Sequence, residues 1–241
     1  LVTNGCFCEE PLREILPEID ALNIDLKAFN QAFYQHVSGD LETVKRAIRI
    51  ASESCHVEVT TLIVPGFHGS GPAHWQSWIE TQLPGARRVA DIDWERPILA
   101  RWANAVRDAI DRAPGPVWVV AHSFGCLASV VAAADRPDRV AGLMLVAPAD
   151  PDRFTPAGLR DATDYHDQDS LAQWIPCHAL PAPSLVVASS DDPYSSLEHA
   201  HAAATRWGSR WHNLGPCGHI NGDSGLGDWP QGRALLDSLL R

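Results

Sequence analysis

A serine stands at the end of an apolar run, in the sequence Ala-His-Ser-Phe-Gly at positions 121–125. Residues 117–121 are continuously apolar, which is typical of a buried strand, and small and apolar residues from Gly125 onward predict a helix. A tight turn between such a strand and helix raises a serine hydroxyl above the sheet, where it can attack a carbonyl carbon. The more usual first glycine is replaced here by Ala121, whose small side chain also fits. The pattern predicts that Ser123 is a nucleophile; the structural alternative is that it only caps the helix.

A serine hydroxyl is a weak nucleophile and needs a histidine base, which an acid in turn orients. After a serine in this kind of turn, the acid and then the histidine follow along the chain. His219 fits, because it lies in the glycine-rich stretch 215–222 between the last predicted strand and the final predicted helix. Five histidines precede the serine and do not fit this order: His36, His56, His68, His74 and His122. Five others fall in predicted helices, strands or the irregular stretch described below: His166, His178, His199, His201 and His212.

The candidate acid follows the apolar strand at 184–188, in the sequence Ser-Ser-Asp-Asp-Pro-Tyr at 189–194. An aspartate at the carboxyl end of a parallel strand faces the same crevice as the serine turn. Asp192 is preferred because Pro193 holds the turn open, with Asp191 as a close alternative and Asp150 as a more distant one. Aspartate pairs also mark ordinary turns, so only position along the chain favours a chemical role.

Two backbone N–H groups are needed to stabilise an oxyanion. Phe124 supplies one candidate, and Phe67 supplies the other because Gly66 lets the backbone approach a substrate closely. His68, His74 and Trp75 are candidate pocket residues, although packing against the sheet is the preferred interpretation for His74 and Trp75. The loop lacks the Gly-Lys-Ser/Thr ending of a phosphate-binding loop.

From about residue 59, strands and helices alternate, which predicts an α/β fold with a mostly parallel sheet covered by helices on both faces. The predicted strands are 59–64, 88–92, 117–121, 140–146, 184–188 and 210–214. The predicted helices are 74–83, 98–111, 125–134, 197–207 and 231–240. Residues 151–178 break the alternation and are expected to form either a surface excursion or a small cap over the site.

Residues 1–58 are expected to form an N-terminal α/β appendage without catalytic function, and residues 59–241 the main domain. Helical spacing of apolar residues appears at 9–19 and 41–52, and 21–26 alternates like a strand. The appendage is expected to pack on the main domain, mediate self-association as a homo-oligomer, or remain loosely attached.

The formal net charge of −11 disfavours nucleic acid and anionic membranes as partners. No secretory signal or membrane span is expected, and six cysteines without metal-ligand spacing predict reduced thiols in a cytoplasmic protein without a metal. The proposed chemistry needs no cofactor and predicts a small-molecule ester or amide as substrate. The alternative is a non-catalytic interaction protein that keeps the same scaffold.

Several stretches together resemble the small α/β-hydrolase family that includes retinoblastoma-binding protein nine: 64–75, 121–125, 189–194, 218–221 and 225–230. This resemblance covers about 60–241 and implies an α/β-hydrolase fold and a serine hydrolase whose triad is Ser123, Asp192 and His219. It supports Asp192 over Asp191. Esterase-like activity, or cleavage of small amides, is the implied range, with ester hydrolysis preferred.

Residues of about 1–66 resemble instead an internal part of a radical SAM activating enzyme, through the stretches 3–5, 19–29 and 56–66. The Cys-x3-Cys-x2-Cys motif that would hold an iron–sulfur cluster in such an enzyme is absent from the sequence. The resemblance therefore implies no cluster chemistry. The two resemblances meet at 59–66, which suggests a fusion through a shared strand sequence.

Overall fold

The computed structural model describes residues 1–24, 34–35, 39–52, 54–58, 60–83, 85–160 and 169–240. The N-terminal part forms a parallel sheet in the order β1 (Val2–Thr3), β2 (Ala21–Ile24), β3 (His56–Glu58). Helices α1 (Glu9–Ile15) and α2 (Leu41–Ser52) accompany it. The predicted helix 9–19 changes at Leu16 into a 3-10 turn that ends at Glu18, because Pro17 lacks the N–H that an α-helix needs. Of the predicted strand 21–26, the last two residues lie outside the described part.

The central sheet has six parallel strands: β4 (Thr61–Val64), β5 (Ala86–Arg88), β6 (Val117–His122), β7 (Val140–Val146), β10 (Ser184–Ala188) and β11 (Arg210–Asn213). Their order across the sheet is β11-β10-β7-β6-β4-β5. β6 and β7 are buried along their whole length, as their continuous apolar sequences predict. The parallel sheet is thereby confirmed.

Five helices follow the strands: α3 (Trp75–Gln82), α4 (Leu99–Arg112), α5 (Phe124–Ala134), α6 (Leu197–Trp207) and α7 (Pro230–Leu240). The core is split by the sheet into two clusters. Val117 and Val119 of β6 pack with α4, α5 and α6, whereas Trp118 and Val120 pack with α3 and α7. Side chains alternate between the faces of a strand, so helices cover both faces as expected. Within the described residues, no helix combines the length and apolar character needed to cross a bilayer.

The edge strand β5 lies earlier than predicted. It covers 86–88 rather than 88–92, and the N–H of Val89 makes a last contact with the Ile63 carbonyl at 2.9 Å. Asp91 has a φ of 62°, in the left-handed region, which ends the extended conformation. The strand is only partly buried, so its sequence lacks the apolar run that revealed the central strands.

One stretch of chain joins the two sheets. β3 pairs with β2 in the small sheet, and β4, which begins three residues after β3 ends, pairs with β5 and β6 in the large one. The cluster on the α3 side also contains Leu12, Leu22 and Val44 from the N-terminal part. Apolar residues of both parts therefore belong to one continuous core.

The irregular stretch 151–178 is only partly described, since residues 161–168 lie outside the described part. It contains a 3-10 turn (Pro151–Arg153), a hairpin of β8 (Phe154–Thr155) with β9 (Gly158–Leu159), and a second 3-10 turn (Leu171–Trp174). Phe154, Leu171 and Ile175 are buried in the same cluster as Phe124. The described parts of this stretch pack onto the helix that begins beside Ser123.

Candidate active site

Ser123 forms the turn between β6 and α5. Its φ of 52° and ψ of −124° lie in a region that side-chain-bearing residues rarely adopt, and the cost is about 1–3 kcal/mol. The N–H of Ser123 donates to the Val146 carbonyl at 3.0 Å, which fixes the turn to β7. Ser123 occupies the N-cap position of α5, but its side chain makes no capping hydrogen bond. The hydroxyl lies instead 2.8 Å from Nε2 of His219.

Two glycines allow the close packing around this turn. A Cβ on Gly125 would lie 2.4 Å from the carbonyl oxygen of Pro65, so the first turn of α5 packs directly on the backbone after β4. A Cβ on Gly66 would lie 2.7 Å from Cβ of Ser123 and 3.1 Å from Nδ1 of His122. Both contacts are shorter than ordinary van der Waals separations, so neither position accommodates a side chain without movement.

His219 links the serine to a carboxylate. Its Nδ1 lies 2.8 Å from Oδ2 and 3.0 Å from Oδ1 of Asp192, while its Nε2 faces Ser123. A carboxylate only accepts hydrogen bonds, so Nδ1 carries the proton and the lone pair of Nε2 points to the serine hydroxyl. The Asp192 side chain is 3% exposed and the His219 side chain 10%, so solvent screens this pair weakly.

The alternative acids have other contacts. Oδ1 of Asp191 accepts hydrogen bonds from the Ser189 hydroxyl and from the N–H of Gly218, both at 2.7 Å. These bonds, that of Ser189 first, hold the pKa of Asp191 below its usual value. Asp191 thus ties the end of β10 to the loop of His219. Asp150 caps the 3-10 turn at Asp152 and does not contact His219.

Phe124 follows Ser123 in the chain, and Phe67 follows Gly66, which lies against Ser123. Phe124 begins α5, so its N–H has no acceptor in a preceding helical turn, and the positive end of the helix dipole lies there. Within the described residues, the N–H of Phe67 has no acceptor either. The following residue, His68, has a φ of 68° and donates its N–H to the Trp94 carbonyl at 2.9 Å. This bond anchors the loop that carries Phe67.

The candidate pocket residues differ in exposure. His68 is exposed and pairs with Glu95, with 2.9 Å between Nδ1 and Oε2. His74 is buried and caps α3, its Nδ1 accepting from the N–H of Gln76 at 3.1 Å. Burial, helped by the charges of Arg88 and His219, lowers the pKa of His74 to about 4. Trp75 is also buried, so His74 and Trp75 pack beneath the site, whereas His68 lies at the surface.

Two contacts of His219 lie outside what the sequence predicts. The buried ring of His122 lies with its centroid 4.9 Å from that of His219, and its Nε2 is 2.9 Å from the His219 carbonyl oxygen. The Tyr194 ring meets His219 edge-on at 4.8 Å, and the Arg153 guanidinium lies 4.8 Å from the Tyr194 ring centre. His122 directly precedes the serine, which is a signal of proximity, but nothing in the spacing indicates which atom it would bind.

The remaining histidines lie apart from this constellation or outside the described residues, as His36 and His166 do. Among the described residues, no group of three or more histidine, cysteine, aspartate or glutamate side chains is arranged to hold a metal ion. The site therefore consists of a hydroxyl, an imidazole and a carboxylate joined by hydrogen bonds. Together with nearby N–H donors, such groups can transfer an acyl group through a covalent serine intermediate.

A six-stranded parallel sheet with helices on both faces and this strand–serine–helix turn define the α/β-hydrolase fold. The model of the family described as serine hydrolase matches residues 61–238. The chain belongs to this serine hydrolase family. No match was found among curated proteins.

Solved structures show the same fold. A putative YdeN-like hydrolase from Pectobacterium atrosepticum is 32% identical, with 76% of this chain and 91% of that chain covered and a TM-score of 0.66. The ydeN gene product from B. subtilis is 20% identical, with 75% and 98% covered and a TM-score of 0.58. Est1E from Butyrivibrio proteoclasticus, solved with ferulic acid bound, is 16% identical, with 76% and 90% covered and a TM-score of 0.56.

The comparisons support the serine hydrolase family at large. They give no support to retinoblastoma-binding protein nine in particular, nor to the resemblance of residues 1–66 to a radical SAM activating enzyme.

Proposed function

We propose that the protein hydrolyses small esters, and small amides as a second class, through an acyl-enzyme on Ser123. The observation that carries this proposal is the continuous chain of hydrogen bonds from the Ser123 hydroxyl through His219 to Asp192. Membership of the serine hydrolase family supports it independently. We also propose, from the sequence stretches quoted above, that the chain belongs to the subgroup that includes retinoblastoma-binding protein nine.

The first half of the reaction forms the acyl-enzyme. Nε2 of His219 takes the hydroxyl proton as the oxygen of Ser123 attacks the carbonyl carbon, and Asp192 stabilises the resulting imidazolium. The N–H groups of Phe67 and Phe124 donate to the oxyanion of the tetrahedral intermediate. The intermediate then collapses, and His219 gives its proton to the departing alcohol or amine.

The second half repeats these roles with water. His219 removes a proton from a water molecule, whose oxygen attacks the acyl carbon bound to Ser123. Collapse of the second tetrahedral intermediate releases the carboxylic acid and returns the proton to Ser123. No step of this sequence needs a metal or an organic cofactor.

The test compares Ser123, at the N-cap of α5, with Ser129, which lies within the same helix. Ser123→Ala should lower kcat/KM for p-nitrophenyl acetate by at least about 1,000-fold, because the covalent route is lost. Ser129→Ala is the matched control, since Ser129 is buried in α5 and its hydroxyl has no hydrogen-bond partner in the described part of the chain. Undiminished hydrolysis by Ser123→Ala would refute the proposal. A complete lack of turnover and of burst release across an ester and amide panel would favour the non-catalytic interaction protein.

A further inference from the structure

Two consecutive carbonyl groups in the loop of His219 accept hydrogen bonds from buried side chains. The indole Nε1 of Trp75 donates to the Ile220 carbonyl at 2.7 Å. Nε2 of His122 donates to the carbonyl of His219 itself at 2.9 Å. The two donors come from different elements: Trp75 is the first residue of α3, and His122 is the last residue of β6.

The backbone between these two bonds is strained. Ile220 has a φ of 47°, in the left-handed region, and its side chain is fully buried. A β-branched residue at positive φ is a genuine outlier, which persists only when the surroundings hold it. Left to itself, the loop would relax toward negative φ and rotate the peptide groups on either side of Ile220. Such a rotation would change the placement of the His219 imidazole, whose Nε2 now lies 2.8 Å from the Ser123 hydroxyl.

We infer that Trp75 and His122 are positioning residues that hold the strained loop in the one conformation that brings His219 to Ser123. The inference rests on the proposed function, since it assigns these residues a role through the proposed base. Each side chain binds the carbonyl of a peptide group whose N–H is also held. The N–H of Ile220 donates to the Cys217 carbonyl at 3.2 Å, and that of Asn221 donates to the Ser224 hydroxyl at 3.1 Å. The two buried donors therefore fix the carbonyl side of both peptide groups.

The two donors are themselves held firmly. The Trp75 ring meets Trp229 edge-on at 5.0 Å, and His74 caps the helix on which Trp75 stands. The ring of His122 is flanked by His74 at 4.8 Å and by His219 at 4.9 Å. A carbonyl oxygen can only accept, so Nε2 of His122 carries a proton. Burial first, and then repulsion from His219 and His74 in their protonated forms, keep the pKa of His122 well below its ordinary value, so the donor is a neutral imidazole.

Trp75→Phe keeps the aromatic packing and removes the bond to Ile220. Its matched control is Trp207→Phe, because Trp207 is equally buried and donates its Nε1 to the Pro176 carbonyl at 3.0 Å, away from the histidine loop. Both variants should lose thermal stability. Only Trp75→Phe should lose kcat for p-nitrophenyl acetate, by about tenfold or more with little change in KM, because a small misplacement of the base slows the chemical step.

A second pair of variants tests the same inference at His122. His122→Leu removes the donor and should lower kcat by a similar factor, whereas His122→Gln places an amide N–H near the position of Nε2 and should restore part of it. A purely structural role predicts that activity follows thermal stability, not the presence of the donor.

The outcomes separate the two proposals. If Ser123→Ala is inactive but Trp75→Phe keeps the kcat of Trp207→Phe, or His122→Gln is no better than His122→Leu, the positioning role is refuted and the proposed function stands. If Ser123→Ala retains turnover, the proposed function and the positioning role are both refuted, because Ser123 is then not the nucleophile that His219 would activate.

Discussion

At the scale of single residues, the absence of a side chain at Gly66 determines the space around Ser123. Gly66 lies against Ser123 and His122, and the next residue, Phe67, is the one whose N–H we propose as an oxyanion donor. The same loop contains Gly71, whose added Cβ would meet nothing within 4 Å. Two glycines five positions apart therefore differ completely in the space around them.

This difference gives a prediction. Gly66→Ala should lower kcat/KM for an ester by about 100-fold, because its Cβ would lie 2.7 Å from that of Ser123 and must displace the nucleophile or the Phe67 N–H. Steady-state kinetics of Gly66→Ala and Gly71→Ala, measured side by side, checks it. Equal activities in the two variants would contradict the tight contact.

The low pKa of the buried His74 predicts that the folded protein loses stability as the pH falls. In the unfolded chain His74 is protonated below about pH 6.5, whereas burial lowers the pKa of His74 in the folded protein to about 4. The unfolded state thus binds more protons in this interval, so the stability that His74 contributes is full above pH 6.5 and is lost as the pH falls toward 4. The contribution is at most about 3 kcal/mol.

Urea unfolding at several pH values measures this effect. His74→Asn keeps an oxygen that can cap α3 but does not titrate, so its free energy of unfolding should fall less than that of the wild type between pH 7 and 4.5. Parallel curves for the two proteins would show that His74 does not carry the effect.

Several features of the site follow from sequence because they are local. The serine turn shows as an apolar run followed by small residues. Chain order, together with a position in a glycine-rich loop, singles out His219 among eleven histidines. The choice between Asp191 and Asp192 does not follow from residue types alone, since both occupy one turn. It depends on which carboxylate meets the imidazole and which meets the N–H of Gly218. The bond from His122 to a residue 97 positions away is a long-range contact without a local signal.

At the scale of elements, α5 is held against the sheet at its first turn and packed into the core along its length. Gly125→Ala should lower the free energy of unfolding by about 1–3 kcal/mol or more, because its Cβ would lie 2.4 Å from the Pro65 carbonyl oxygen. Urea denaturation checks this prediction. Unfolding at the wild-type midpoint would mean that α5 does not approach β4 so closely.

Ser129 on the same helix predicts the opposite result. Its hydroxyl is buried without a hydrogen-bond partner in the described part of the chain. Ser129→Ala should therefore leave stability unchanged or raise it by up to about 1 kcal/mol. A marked loss of stability on urea unfolding would reveal a hydrogen bond to this hydroxyl.

The central strands are evident in sequence because burial on both faces demands continuous apolar runs, as in β6 and β7. The edge strand β5 is less evident, since Arg87 and Arg88 reflect its partial exposure. The hairpin of β8 and β9 has only two residues in each strand, too few for a period to show.

At the scale of the whole molecule, the family match begins at residue 61, where the large sheet begins, yet one apolar cluster includes residues from both sides of that point. We propose that the N-terminal part contributes stability and takes no part in catalysis. Val44→Asp places a charge in the buried N-terminal core and should lower the melting temperature while kcat/KM at 25 °C stays near that of the wild type.

Thermal unfolding and ester kinetics on the same preparations check this prediction. Truncation to residues 59–241 should show the same separation of stability from activity. A loss of kcat/KM in still-folded Val44→Asp protein would instead connect the N-terminal part to the site.

Trapping the acyl-enzyme tests most directly whether Ser123 is the nucleophile. The protein is mixed with a p-nitrophenyl ester, quenched in acid within the burst, digested and analysed by mass spectrometry. An acyl group is expected on Ser123 in the wild type and in Ser129→Ala, and none in Ser123→Ala. An acyl group on another residue that forms and decays at the rate of turnover, with Ser123 unmodified, would contradict it.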